Sequence, residues 1–316
     1  MHPYRSGHLN PQARAVLDAR NAHQPTDLAG MREKYVRNAR EFGPDPVELK
    51  SEDVVIPDAG GSAVSARYYW PDAAIDSRGC LVWLHGGGWF VGALDGVDRT
   101  ARALARASGS RVLAVDYRLA PEFPYPHALA DVDRAVAWAR TDGAAEFSHD
   151  PTNVAVGGDS SGGNLATIAV RHAVQSADLP ALAAQVLVYP VTDVRMDTAS
   201  YSEPVAVGSL SPEAMSACWG FYLGAGSRDP HPDISPIDGD VAGMPRTLIV
   251  LAGHDILRED GLSYAAALEL AGVEVRVQAF NDLPHGFLDW SGSIDRAADA
   301  IAEIGRFVQR RERNAK

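Results

Sequence analysis

Five residues, Gly158-Asp159-Ser160-Ser161-Gly162, follow the apolar run Asn153-Val154-Ala155-Val156 and precede an apolar helical segment beginning near Leu165. A serine at the centre of such a strand-to-helix turn has the setting of an activated nucleophile. Glycines two places before and after it let neighbouring backbone approach without a clashing Cβ, and the helix N-terminus favours developing negative charge. Ser160 is the better centre of the two serines, because centring the pattern on Ser161 puts Asp159 where a small residue is needed. Ser161 then offers its backbone N–H.

A second glycine-rich stretch, His85-Gly86-Gly87-Gly88-Trp89, follows the apolar run Cys80–Leu84. Three glycines after a strand leave N–H groups free to point at an anion, so Gly87, Gly88 and Ser161 are the expected oxyanion donors. His85 is expected to brace this loop through its ring rather than transfer protons. The base should come from a loop at the same sheet edge. His285, in Leu283-Pro284-His285-Gly286-Phe287 after the last apolar run, meets that condition. His2, His8 and His23 lie near the N-terminus, His149 precedes a strand and His172 lies within a helical segment, so surface or packing roles are their default. Asp255 directly follows Leu248–His254 and is the expected orienting carboxylate, with Asp282 and Asp260 as rivals. Serine, acid and histidine in that order make a nucleophilic acyl-transfer set. No His-Glu-x-x-His or clustered Cys/His spacing points to a metal hydrolase, and His127 and His231 lack obvious ligand partners.

These residues need a scaffold that brings strand ends together. From Cys80 onward, short apolar runs at 80–85, 111–117, 153–158, 184–190, 246–253 and 273–280 alternate with helical stretches near 97–107, 127–140, 161–175, 260–271 and 294–311. That rhythm predicts βαβ units and a mostly parallel sheet. Before it, 47–56 and 62–70 alternate as strands about a Gly60-Gly61 turn and predict an antiparallel edge hairpin. The first 45 residues read as helical: Thr26 can cap a segment with Leu28, Met31, Tyr35 and Phe42 at helical spacing, ended by Gly43-Pro44. Between Pro190 and Arg246 no clear strand occurs, and an insertion of that length predicts a lid over the carboxyl edge of the sheet, where such folds bind ligands.

The chain has 316 residues, 46% apolar and 22% charged, enough to bury a sizeable core. With 41 acidic against 29 basic side chains, its net charge of −12 disfavours nucleic acid and anionic lipid as partners. Two cysteines, Cys80 and Cys218, are too few for a disulfide scaffold and suit a reducing compartment. No stretch has the roughly 18 apolar residues of a membrane-spanning helix, so a cytoplasmic protein without stable membrane association is expected.

HGGGW, the run DYRLAPEFPYPHAL at 116–129, GDSSGGN at 158–164, YP at 189–190, Asp255 in DILRED and PHGF at 284–287 together resemble the hormone-sensitive lipase-like family of α/β hydrolases. The match covers roughly residues 75–290. The resemblance implies an α/β-hydrolase fold: an eight-stranded, mostly parallel sheet flanked by helices, with a helical cap. The expected division is N-terminal cap helices in 1–45, a catalytic core in 46–190 and 241–316, and a cap insertion in 191–240. It also implies carboxylesterase activity without a cofactor, and structural rather than catalytic roles for Asp116, Tyr117, Arg118 and Glu122. Ser161 stands where alanine is commoner in the family, a change of little consequence where only the N–H is used. Trp219, Phe221 and Tyr222 of the insertion, with Trp89, suggest an apolar pocket for short- to medium-chain acyl esters. Amidase, lactonase or deacetylase activity on the same machinery stays open, as does a non-catalytic receptor like the plant gibberellin receptors, which lack the histidine present here as His285. A homodimer is an open option for assembly.

Overall fold

The computed structural model of the chain describes residues 3–5, 7–22, 25–57, 63–176, 178–206 and 208–309. The Gly60-Gly61 turn, His2 and His23 lie outside the described residues. In chain order the elements are α1 (Pro11–Asn21), α2 (Leu28–Phe42), β1 (Ser51–Ile56), β2 (Val64–Tyr69), β3 (Cys80–Leu84), α3 (Leu94–Ser108), β4 (Arg111–Asp116), α4 (His127–Ala139) and α5 (Asp142–Phe147). They continue as β5 (Val154–Asp159), α6 (Ser161–Gln175), β6 (Ala184–Val188), α7 (Pro212–Leu223), β7 (Thr247–His254), α8 (Arg258–Leu270), β8 (Val275–Pro284) and α9 (Asp295–Gln309).

The strands form one eight-stranded sheet in the order β1-β2-β4-β3-β5-β6-β7-β8. β2 runs antiparallel to both neighbours, and every pairing from β4 to β8 is parallel. Because side chains alternate across a strand, each central strand feeds two cores. Cys80, Val82 and Leu84 of β3 pack with α4, α6 and α8 on one face. Leu81 and Trp83 pack with α1, α3 and α9 on the other. The near-continuous apolar runs in the sequence follow from this burial on both faces.

Chain order reverses at β3, which lies between β4 and β5. The loops leaving β3 and β5 therefore diverge over the carboxyl edge and leave a crevice between them. The N-terminal helices sit close to that edge. Asn10 caps α1 with its side chain, while its backbone N–H donates to the Asp282 carbonyl at 2.8 Å. Gln12 hydrogen-bonds Asp295, and Arg20 lies over the Trp290 ring at 4.3 Å. α2 is capped by Asp27, whose side chain accepts from Gly30 N–H, and not by Thr26 one residue earlier. Among the described residues no helix is long and apolar enough to cross a membrane.

Candidate active site

The turn after β5 is tight. Ser160 has φ 54° and ψ −119°, a conformation that non-glycine residues adopt only where surrounding structure enforces it. Its N–H donates to the Val188 carbonyl at 2.9 Å, and its own carbonyl accepts from Asn164 N–H at 3.1 Å, so strand and helix both hold it. A Cβ on Gly162 would lie 2.0 Å from the Leu84 carbonyl oxygen. Only a residue without a side chain lets α6 start this close to β3.

His285 comes from the loop after β8 and Asp255 from the end of β7. A register shift between β7 and β8 at Ala252/His254 immediately precedes Asp255, and such irregularities re-aim side chains at sheet edges. The structure brings the three groups together: His285 Nε2 lies 2.9 Å from Ser160 Oγ, and His285 Nδ1 lies 2.8 Å from Asp255 Oδ2. Asp255 is buried, and its other oxygen accepts from Leu257 N–H at 3.0 Å, which fixes the carboxylate plane. Neither rival acid reaches the imidazole. Asp282 pairs with Arg296 and accepts from Asn10, and Asp260 is buried against Thr198.

The glycine loop after β3 lies against the elbow. Gly86 N–H donates to Asp159 Oδ1 at 3.0 Å, tying the two loops together. Gly87 has φ +122° and Gly88 φ +60°, and both line the same cavity as Ser160 and His285. No protein acceptor takes the N–H of Gly87, Gly88 or Ser161 among the described residues, which leaves three donors for an oxyanion.

His85 lies buried beneath this loop, stacked on Tyr117 at 4.4 Å, with Nδ1 donating to the Gly86 carbonyl at 2.8 Å. Burial pulls its pKa down to about 4, so it is neutral, and the Tyr117 hydroxyl secures the His85 carbonyl at 2.7 Å. His254 is buried beside the site, and its pKa is also lowered by burial.

Similarity to known proteins is extensive. A family model for the α/β-hydrolase fold matches residues 81–289. The carboxylesterase NlhH of Mycobacterium tuberculosis is 32% identical over 300 residues, 92% of each chain. The carboxylic ester hydrolase LipN of the same organism is 37% identical over 261 residues, 81% of this chain and 69% of that one. The chain belongs to the hormone-sensitive lipase-like α/β hydrolases. Among solved structures, this α/β hydrolase superposes on an esterase of the archaeon Pyrobaculum calidifontis with a TM-score of 0.87 at 29% identity, covering 96% of this chain and 98% of that one. A thermostable esterase from Pseudomonas putida ECU1011 gives 0.87 at 26% identity, with the same coverage.

The pocket of this hydrolase is a cavity of about 400 Å³ with Ser160 and His285 in its wall. Its lining corrects one expectation. Trp89, Trp219 and Tyr222 are fully buried, with the Trp89 ring 4.5 Å from each of the other two, and Phe221 packs on Phe90 at 4.8 Å; none of the four lines the cavity. Trp219 and Tyr222 belong to the inner stripe of α7, and the Trp89 indole packs against them as an anchor for the glycine loop. The wall on that side comes from smaller neighbours, Leu210, Ala214, Met215 and Cys218. Sequence reasoning also missed the α1 and α2 contribution, Arg20, Tyr35, Asn38 and Ala39. It missed Arg32 too, which donates to the Phe90 and Ala120 carbonyls and pairs with Glu122, joining α2 to the glycine loop.

Proposed function

We propose that this chain is a serine carboxylesterase that hydrolyses short- to medium-chain acyl esters through an acyl-enzyme. The observation that carries the reading is the continuous hydrogen-bonded row Ser160, His285, Asp255 opening into a cavity that Gly87 and Gly88 also line, with the Ser161 N–H next to the nucleophile. Relatives named as carboxylesterases and esterases over most of the chain support the same reaction class.

His285 Nε2 takes the Ser160 proton as Oγ bonds to the ester carbonyl carbon, and the carbonyl oxygen becomes an oxyanion held by Gly87, Gly88 and Ser161 N–H. Collapse breaks the bond to the alkoxy oxygen, which leaves with the proton from His285. Water then attacks the acyl-enzyme, giving its proton to His285, and the second collapse returns that proton to Ser160 Oγ with release of the acid. Asp255 keeps the Nδ1–H tautomer and stabilises the imidazolium formed in each half. Residues 1–45 and 191–240 act as the cap, since α1, α2 and α7 wall the cavity. Free, buried Cys80 and Cys218 fit a reducing, cytoplasmic setting.

A series of p-nitrophenyl esters from acetate to palmitate tests the proposal. Turnover should peak among the short and medium members and fall steeply by palmitate, and Ser160→Ala should remove about 10⁴-fold or more of kcat with an unchanged melting curve. Activity confined to the long esters would refute the chain-length assignment, and a fully active Ser160→Ala variant would refute the mechanism.

A further inference from the structure

The cavity wall divides by element. On the insertion side Leu210 and Met215 present apolar surface, whereas the N-terminal helices bring Arg20, Tyr35 and Asn38, and the turn after His285 brings Asp289. These polar groups are not used up by the protein. Arg20 stacks on Trp290, yet among the described residues it makes no hydrogen bond and no ion pair, and its Nε is buried without a partner. The Tyr35 hydroxyl and the Asn38 amide have no hydrogen-bond partner among the described residues either, and Asp289 accepts only a long bond of 3.4 Å from Thr100 Oγ1. Only the Arg20 Nε is buried outright; the polar atoms of Tyr35, Asn38 and Asp289 line the cavity, where a plain alkyl chain would strip water from them and return no hydrogen bond.

We infer that this wall is a hydroxyl-recognition subsite, and that the preferred esters carry a free hydroxyl on the acyl or the alcohol part. The inference rests on the esterase reading and refines its substrate class. A hydroxyl is both donor and acceptor, so it can give its proton to Asp289 while accepting from Arg20, Asn38 or Tyr35. A ligand carboxylate would meet Asp289 in a protein of net charge −12. A ligand ammonium would meet Arg20. Desolvation by the wall is consistent with the charges it holds: burial draws Arg20 down to about 10 against the attraction of Asp289, and lifts Asp289 to about 6 against the attraction of Arg20.

The test compares kcat/KM for two matched pairs, ethyl 3-hydroxybutyrate with ethyl butyrate and glycerol monobutyrate with propyl butyrate, together with monoethyl succinate. The native enzyme should favour the hydroxylated member of at least one pair by about 10- to 100-fold, the range of a hydrogen bond to a charged group. Arg20→Met and Asn38→Leu should each cut that ratio several-fold. Asn38→Leu and the native ratios carry the test if Arg20→Met does not fold. Ratios near one in the native enzyme, variants that slow both members alike, or a preference for monoethyl succinate over ethyl butyrate would each overturn the subsite. Failure to cleave any of the five esters would instead overturn the esterase reading, and the subsite with it.

Discussion

Asp255 touches His285 through one oxygen and the backbone through the other, so replacing it by asparagine keeps the shape and changes the proton pattern. The amide N–H would favour the tautomer that leaves Nε2 protonated and unable to accept from Ser160. Asp255→Asn should lower kcat by about 10⁴ with little change in melting temperature, read by p-nitrophenyl butyrate turnover and calorimetry. Asp289 makes a different prediction. Burial raises its folded pKa to about 6, above the ordinary value near 4. Below pH ~4 folded and unfolded chains both hold the proton, and the group costs nothing. Between about 4 and 6 the folded chain keeps a proton that the unfolded one has lost, so stability falls as pH rises, and above 6 the whole cost is present. Asp289→Asn should therefore raise the melting temperature by a few degrees at pH 8 and leave it unchanged at pH 4. Ser160, His285 and Asp255 were legible because each directly follows an apolar run. The pocket aromatics were not, since tryptophan and tyrosine serve a core stripe and a ligand wall equally well, and only the packing of α7 against Trp89 decides between them.

Among the elements, the joint between β3, β5 and α6 is the least forgiving. A methyl on Gly162 would have to displace the Leu84 carbonyl, which belongs to the strand that carries the glycine loop. Gly162→Ala should cost about 3 kcal/mol or more in urea unfolding, at the upper end of overpacking costs, or give no soluble protein. The sheet strands were readable to within a few residues, because burial on both faces makes them plain apolar runs bounded by turns. α1 was read only as part of a helical first 45 residues and α7 only as part of a cap insertion, although signals for the start of each exist. Ser211-Pro212 caps α7 ahead of Met215, Cys218, Trp219 and Tyr222 at helical spacing. Asn10-Pro11 does the same for α1 ahead of Ala13, Val16 and Leu17. The periodicity names the buried stripe in each case, but Arg20 lies at its margin, and which neighbour it faces depends on residues some 270 positions away.

At the scale of the whole molecule, the N-terminal segment and the insertion are held to the core by ion pairs that cross long stretches of chain. Glu203 of the insertion pairs with Arg258, which is buried at the start of α8 just after Asp255, and with Arg5. The neighbouring Ser200 donates its hydroxyl to the Ile256 carbonyl. α1 likewise docks on Asp282, Trp290 and Asp295. The helix synthesised early thus has its seat built from Asp282, Trp290 and Asp295, some 270 or more residues later, and contacts of such sequence separation form late. A refolding chain should bury its tryptophans and assemble the sheet before it can close the substrate chamber. Recovery of ester turnover should then lag behind recovery of fluorescence in a stopped-flow experiment, with the N-terminus as the final piece to be set in place.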